Sequence, residues 1–259
     1  MIALSPDGTP IAYQLLGTGA PVVLLHGFTE TGESWREAGY VEPLLRGGRQ
    51  VVLIDCRGHG ESGKPHETEA YSGGKHVGDV LAVLDAAGIR RADLVGYSMG
   101  GLLALAVALR APERVRSLVV IGAHPFAQDM TPYRLAVADG IERWLAALEA
   151  QGICLSHAAR RRILSNDTRA LQACVIRDRP DMSAALTRLK APLLAIAGTD
   201  DPIFGSVRAL AEQVGGSFLA LDGLNHITAF LATGQILPAI ERFLDSQGAP
   251  APLAATIDE

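Results

Sequence analysis

A serine set among glycines, two adjacent aspartates and a histidine on a late turn are the residues of this chain best suited to nucleophilic chemistry. Gly96-Tyr97-Ser98-Met99-Gly100 follows the apolar run ADLVGY and opens a second apolar run beginning at Leu102. A hydroxyl is a poor nucleophile until a base takes its proton, and that base must be held in one tautomer by a carboxylate. Glycines at 96 and 100 permit a tight strand-to-helix turn that would expose the Ser98 hydroxyl. A serine that only capped the helix would need no glycine on either side.

The base is sought among seven histidines. His66 and His76 read as surface positions, and His157 lies in a helical stretch. His226 differs, because Asp222-Gly223-Leu224-Asn225-His226 is a turn directly after the last apolar run and can return an imidazole over the sheet edge. For the acid, Gly198-Thr199-Asp200-Asp201-Pro202 offers two neighbouring carboxylates. Neighbours in a loop do not both face one imidazole, and the residues alone leave the choice open. His26, Asp55 and His124 also follow apolar runs.

The elements that must position these groups are legible as short apolar runs at 21–27, 49–55, 92–98, 115–123, 191–198 and 216–223. Continuous Val, Leu and Ile without strict alternation marks parallel strands buried on both faces. Helical patterns at 72–87, 99–110, 204–214 and 236–246 alternate with them, which predicts a doubly wound α/β sheet. Residues 2–4 and 11–16, separated by the turn SPDGTP, predict an entering hairpin and complete eight strands. In such sheets chemistry gathers beyond the carboxyl ends of the strands, where Ser98, the acidic pair and His226 all fall. Residues 1–123 and 191–246 therefore form the predicted core. Residues 124–190 contain helical patterns and no strand run, and read as a small helical cap inserted after the sixth strand. Within it Arg160-Arg161-Arg162 reads as a solvated face, and residues 247–259 read as a loosely held tail.

The bulk properties narrow the field. A chain of 259 residues with 48% hydrophobic content can bury one substantial core. The net charge of −5, from 23 basic and 28 acidic residues, offers no footprint for nucleic acid or an anionic membrane. Cys56, Cys154 and Cys174 are too scattered for a disulfide framework or a zinc site. Neither a signal-like start nor a spanning segment is evident, so a cytoplasmic location is expected. No cofactor or metal is called for, and the oligomeric state is left open.

Taken together, His26-Gly27-Phe28, Asp55-x-Arg57-Gly58-His59-Gly60-x-Ser62, the turn at Ser98, Gly198-x-x-Asp201-Pro202 and Gly223-x-x-His226 give the chain its likeness. It resembles the α/β-hydrolase family over roughly residues 8–246, in particular the capped esterase, lactonase and C–C hydrolase-like branch. The resemblance selects Asp201 as the acid. It implies an oxyanion hole built from the backbone N–H groups of Met99 and Phe28, the loop being shaped by His26 and Gly27. It assigns the Asp55–Ser62 segment to architecture, with Cys56 departing from the usual small or aromatic residue. His26, Gly27, His124, Phe126 and Trp144 become substrate-pocket candidates. The implied activity is cleavage of a small-molecule ester, lactone or related acyl substrate through an acyl-enzyme on Ser98. A slow ligand-binding or signalling relative and a C–C hydrolase, lyase, perhydrolase or cofactor-free oxygenase are the alternatives. A serine at the elbow speaks against dehalogenase and epoxide hydrolase chemistry, which use a carboxylate nucleophile.

Overall fold

The computed structural model describes residues 1–150 and 152–248; the expected tail lies, from residue 249 onward, outside the described residues. The strands are β1 (Ile2–Leu4), β2 (Pro10–Leu16), β3 (Ala20–Leu25), β4 (Arg49–Ile54), β5 (Ala92–Tyr97), β6 (Val115–Ile121), β7 (Leu193–Gly198) and β8 (Ser217–Leu221). They form one sheet in the order β1-β2-β4-β3-β5-β6-β7-β8. β1 and β2 form an antiparallel hairpin, β2 is antiparallel to β4, and the other neighbours run parallel.

Side chains alternate across each strand. In β3, Val23 and Leu25 enter one apolar cluster while Val22 and Leu24 enter the other. Between the strands run α1 (Glu33–Glu37), α2 (Val41–Arg46), α3 (Gly73–Ala86), α4 (Met99–Arg110), α5 (Thr131–Val137), α6 (Ile141–Ala150), α7 (His157–Leu164), α8 (Thr168–Val175), α9 (Phe204–Val214), α10 (His226–Leu231) and α11 (Thr233–Ser246). Helices α3, α4 and α9 supply the first cluster, whereas α2, α10 and α11 close the second. Helix α4 is apolar all round and buried along almost its whole length, as a helix wedged between a sheet and other helices must be. Helices α5 to α8 all lie between β6 and β7, so the segment without strand runs is a helical insertion. No helix among the described residues is long and apolar enough to cross a membrane.

The hairpin is tied to the rest by charge. The fully buried Arg57 guanidinium donates to both Asp79 oxygens on α3, at 2.7 and 2.5 Å, to Asp7 at 2.8 Å and to the Ala70 carbonyl at 2.7 Å. Hydrogen bonding from Arg57 holds the Asp7 carboxyl well below the usual carboxylate range. Removing one partner of a buried ion pair leaves the other charge uncompensated, which costs about 3–5 kcal/mol. Arg57→Gln is therefore expected to lower the urea midpoint strongly at unchanged m-value, and Arg57→Met combined with Asp79→Leu should recover much of the loss.

Candidate active site

At the junction of β5 and α4 the chain reverses so sharply that Ser98 adopts φ 52° and ψ −115°. Thr29, with φ 66°, is the only other non-glycine residue with positive φ among the described residues. Such backbone costs on the order of 1–3 kcal/mol and persists only where its surroundings enforce it. Here they do: a Cβ on Gly96 would come within 2.3 Å of the Gly100 carbonyl oxygen, and one on Gly100 within 2.0 Å of the Leu25 carbonyl oxygen. The Ser98 N–H donates to Ile121 O at 2.8 Å, which fastens the turn to β6.

The Ser98 hydroxyl donates to His226 Nε2 at 2.9 Å, and His226 Nδ1–H donates to Asp201 Oδ2 at 2.7 Å. A carboxylate acceptor at Nδ1 fixes the tautomer that leaves Nε2 free to accept. His226 is the first residue of α10, where Asn225 accepts from the backbone N–H groups of Ile227 and Thr228 in a capping box. Its ring tilts against Tyr97 at 5.2 Å, and the Tyr97 hydroxyl donates to the His226 carbonyl at 3.3 Å. Asp201 is buried and accepts from the Ile203 N–H at 3.1 Å, whereas Asp200 is exposed. Room for the histidine–carboxylate pair comes from Gly122, whose absent Cβ would stand 2.9 Å from His226 Cε1. The structure thus brings Ser98, Asp201 and His226 into one relay.

Beside Ser98 lies the loop after β3. A Cβ on Gly27 would sit 2.9 Å from the Tyr97 ring and 3.6 Å from Ser98 Cβ, so the loop hugs the turn. Neither Phe28 N–H nor Met99 N–H has an acceptor among the described residues. His26 is not a pocket residue: it is fully buried, its Nδ1–H donates to Gly27 O at 2.8 Å and its Nε2 accepts from Cys56 N at 2.9 Å. The missing side chain of Gly27 is what lets the loop approach the Tyr97 ring and Ser98 this closely. The fully buried His59 ring lies edge-on to both His26 and Phe28. Burial pulls the His26 pKa down to about 4 and that of His59 to about 3.

The remaining pocket candidates separate. Trp144 packs edge-on against Phe28 at 5.3 Å and stacks on Tyr133. His124 is buried, stacks on the half-buried Phe126 at 5.6 Å, and leaves Nδ1 without a partner among the described residues. Sequence reading missed the residues that bind the insertion to this loop. Arg162 donates twice to Glu30, at 2.8 and 2.6 Å, and pairs with Glu37 at 2.7 Å, while Asn166 donates to the carbonyl of Thr29 at 2.8 Å. The solvated-face reading of the arginine run therefore fails at Arg162, because it shares the α7 face that buries Ala159 and Ile163. That spacing, three and four residues on from Ala159, was the available signal.

Residues 20–173 match the family model of the α/β hydrolase fold, well over half of the chain. The chain belongs to the α/β hydrolase fold family. Over 106 residues this α/β hydrolase is 42% identical to the 2-hydroxymuconate semialdehyde hydrolase of Pseudomonas sp. (strain CF600), covering 41% of the chain and 37% of that relative. It is equally 42% identical, over 109 residues, to epoxide hydrolase B of Mycobacterium tuberculosis, covering 42% of the chain and 30% of the relative. The chain thus spans well under half the length of these curated relatives. The crystal structure of an esterase, RhEst1, from Rhodococcus sp. ECU1013 superposes with a TM-score of 0.80 at 26% identity, covering 96% of this chain and 99% of that one.

The two depressed histidines give the fold a pH dependence. In the unfolded chain each takes a proton near its ordinary value of 6.5, whereas the folded forms stay neutral down to about 4 and about 3. Their contribution to stability is fully present above pH 6.5 and falls as the pH drops towards 4, by about 1.4 kcal/mol per pH unit for each ring. Urea midpoints measured from pH 7 to pH 4.5 should decline accordingly, and His59→Gln should flatten the decline.

Proposed function

We propose that this α/β hydrolase is a serine hydrolase that cleaves a small-molecule ester, lactone or related acyl substrate, and that residues 124–190 act as a cap over its site. The observation that carries this reading is the unbroken relay from Ser98 Oγ through His226 to Asp201, at 2.9 and 2.7 Å. His226 Nε2 accepts the hydroxyl proton as Ser98 Oγ bonds to the acyl carbon, and Asp201 stabilises the imidazolium that forms. Charge that develops on the carbonyl oxygen meets the N–H groups of Phe28 and Met99, each such donor being worth about 2.7–4 kcal/mol in the transition state. The tetrahedral adduct collapses when His226 returns the proton to the leaving oxygen. Water, deprotonated by the same imidazole, then releases the acid from Ser98.

An oxygen nucleophile on serine supports acyl transfer over the opening of an epoxide by a carboxylate, even though an epoxide hydrolase stands among the relatives. The aromatic wall of Phe28, Tyr133 and Trp144 favours an acyl group with an apolar body. With p-nitrophenyl butyrate, the wild-type protein should turn over many times, and a fluorophosphonate should add one equivalent of mass to Ser98. Ser98→Ala should lose both while keeping its circular dichroism and urea midpoint. Asp201→Asn should lower kcat by about 10⁴-fold, because it disturbs the histidine tautomer. Undiminished turnover in Ser98→Ala would overturn the reading.

A further inference from the structure

The arginines of the insertion fall into two groups. Arg134, Arg143, Arg160, Arg162 and Arg177 each pair with a carboxylate. Among the described residues Arg161, Arg169, Arg188 and Arg179 have none, and the first three are exposed to water. Arg179 alone of these is partly buried. A guanidinium withdrawn from water without a counter-charge is costly, so buried cations are as a rule paired. Burial accordingly draws the Arg179 pKa below its ordinary value.

Its position is fixed. The backbones of Arg179 and Gln128 exchange two hydrogen bonds of 3.0 Å at the root of the insertion, and Arg179 Nη1 donates to Gln128 Oε1 at 2.8 Å. The guanidinium lies 6.0 Å from the centroid of the Tyr133 ring, and that ring meets the Phe28 ring edge-on at 6.1 Å. His124, at the start of the insertion, is buried, stacks on Phe126 at 5.6 Å and leaves Nδ1 without a partner among the described residues. A cation without a carboxylate partner thus stands against the aromatic rings that pack on Phe28, and the loop bearing Phe28 lies against the Ser98 turn.

We propose that Arg179 receives a carboxylate carried on the acyl part of the substrate, remote from the bond that is cleaved. The inference rests on the acyl-enzyme reading above and narrows it to anionic acyl substrates. The planar guanidinium presents donors in the fork geometry that suits a carboxylate, and the fixed backbone means little ordering is needed on binding. An apolar acyl chain would lie along Tyr133 and Trp144, with its scissile carbonyl at Ser98 and its far end at Arg179.

The test compares the mono-p-nitrophenyl esters of adipic and suberic acids with p-nitrophenyl hexanoate and octanoate, which match them in length and lack the far charge. Arg179→Gln is expected to lower kcat/KM on the anionic esters by about 10- to 100-fold, chiefly through KM, with about a twofold change or less on the neutral ones. Arg179→Lys should restore part of the anionic preference. An equal loss on both series, or a wild-type protein indifferent to the far charge, overturns the proposal. A second measurement avoids catalysis altogether: in Ser98→Ala, monomethyl adipate, which carries the far carboxylate, should raise Tm more than methyl hexanoate, which does not, and Arg179→Gln should abolish that difference. A Tm difference that persists in Arg179→Gln overturns the proposal. If the esters are not hydrolysed and Ser98 is never acylated, the hydrolase reading fails, while the Tm difference still reports on the carboxylate site.

Discussion

The carbonyl oxygens of Leu25 and His26 approach the first turn of α4 so closely that only a hydrogen atom fits on the Cα of residue 100. That contact joins the end of β3 to the end of β5, which already pair through Leu25 and Gly96. It therefore sets the distance between Ser98 and the loop bearing Phe28 through backbone alone, independent of any rotamer. The strained φ of Ser98 follows from it, as does the depth at which α4 lies. Strands β6 and β7 then need only end at the same edge for Gly122 and Asp201 to meet His226.

Much of this was legible in the sequence, and the reasons can be named. Ser98 and His226 announced themselves because glycines flank the one and a post-strand turn carries the other. The acidic pair did not decide itself. Family likeness selected Asp201, and what sets it apart in three dimensions is burial and a hydrogen bond from Ile203, neither of which a single sequence displays. Helices α1, α2 and α10 went unread because five or six residues are too few to show a period of 3.6. Helix α11 begins at Thr233, three residues before the expected start, and carries Pro238 in its interior. His26 was misread because a histidine at a strand end offers the same letter whether its nitrogens face a ligand or, as here, the chain itself.

Charge is distributed unevenly between architecture and chemistry. Arg57 is enclosed by two carboxylates and a carbonyl, so its field is spent locally. His26 and His59 are kept neutral by burial, which spares the neighbourhood of Phe28 a positive charge. Such neutral rings beside the loop act as polar spacers whose orientation is fixed by the groups they bond. On the insertion side, by contrast, His124 Nδ1 has no partner and Arg179 bonds to Gln128 but to no carboxylate among the described residues.

The contacts of Arg162 and Asn166 bear on how such proteins can be recombined. The insertion does not simply rest on the core, because its side chains hold the carbonyl of the strained Thr29 and the carboxylates of Glu30 and Glu37. A chimera joined at the two ends of the insertion would therefore separate a loop from the partners that define its shape. The transferable module is discontinuous: residues 124–190 together with residues 29–37 and 66–69, whose His66 and Glu69 pair with Asp167 and Arg177. A graft that carries all three segments keeps these contacts together, and one that carries only the helices sets a new insertion on a loop built for another.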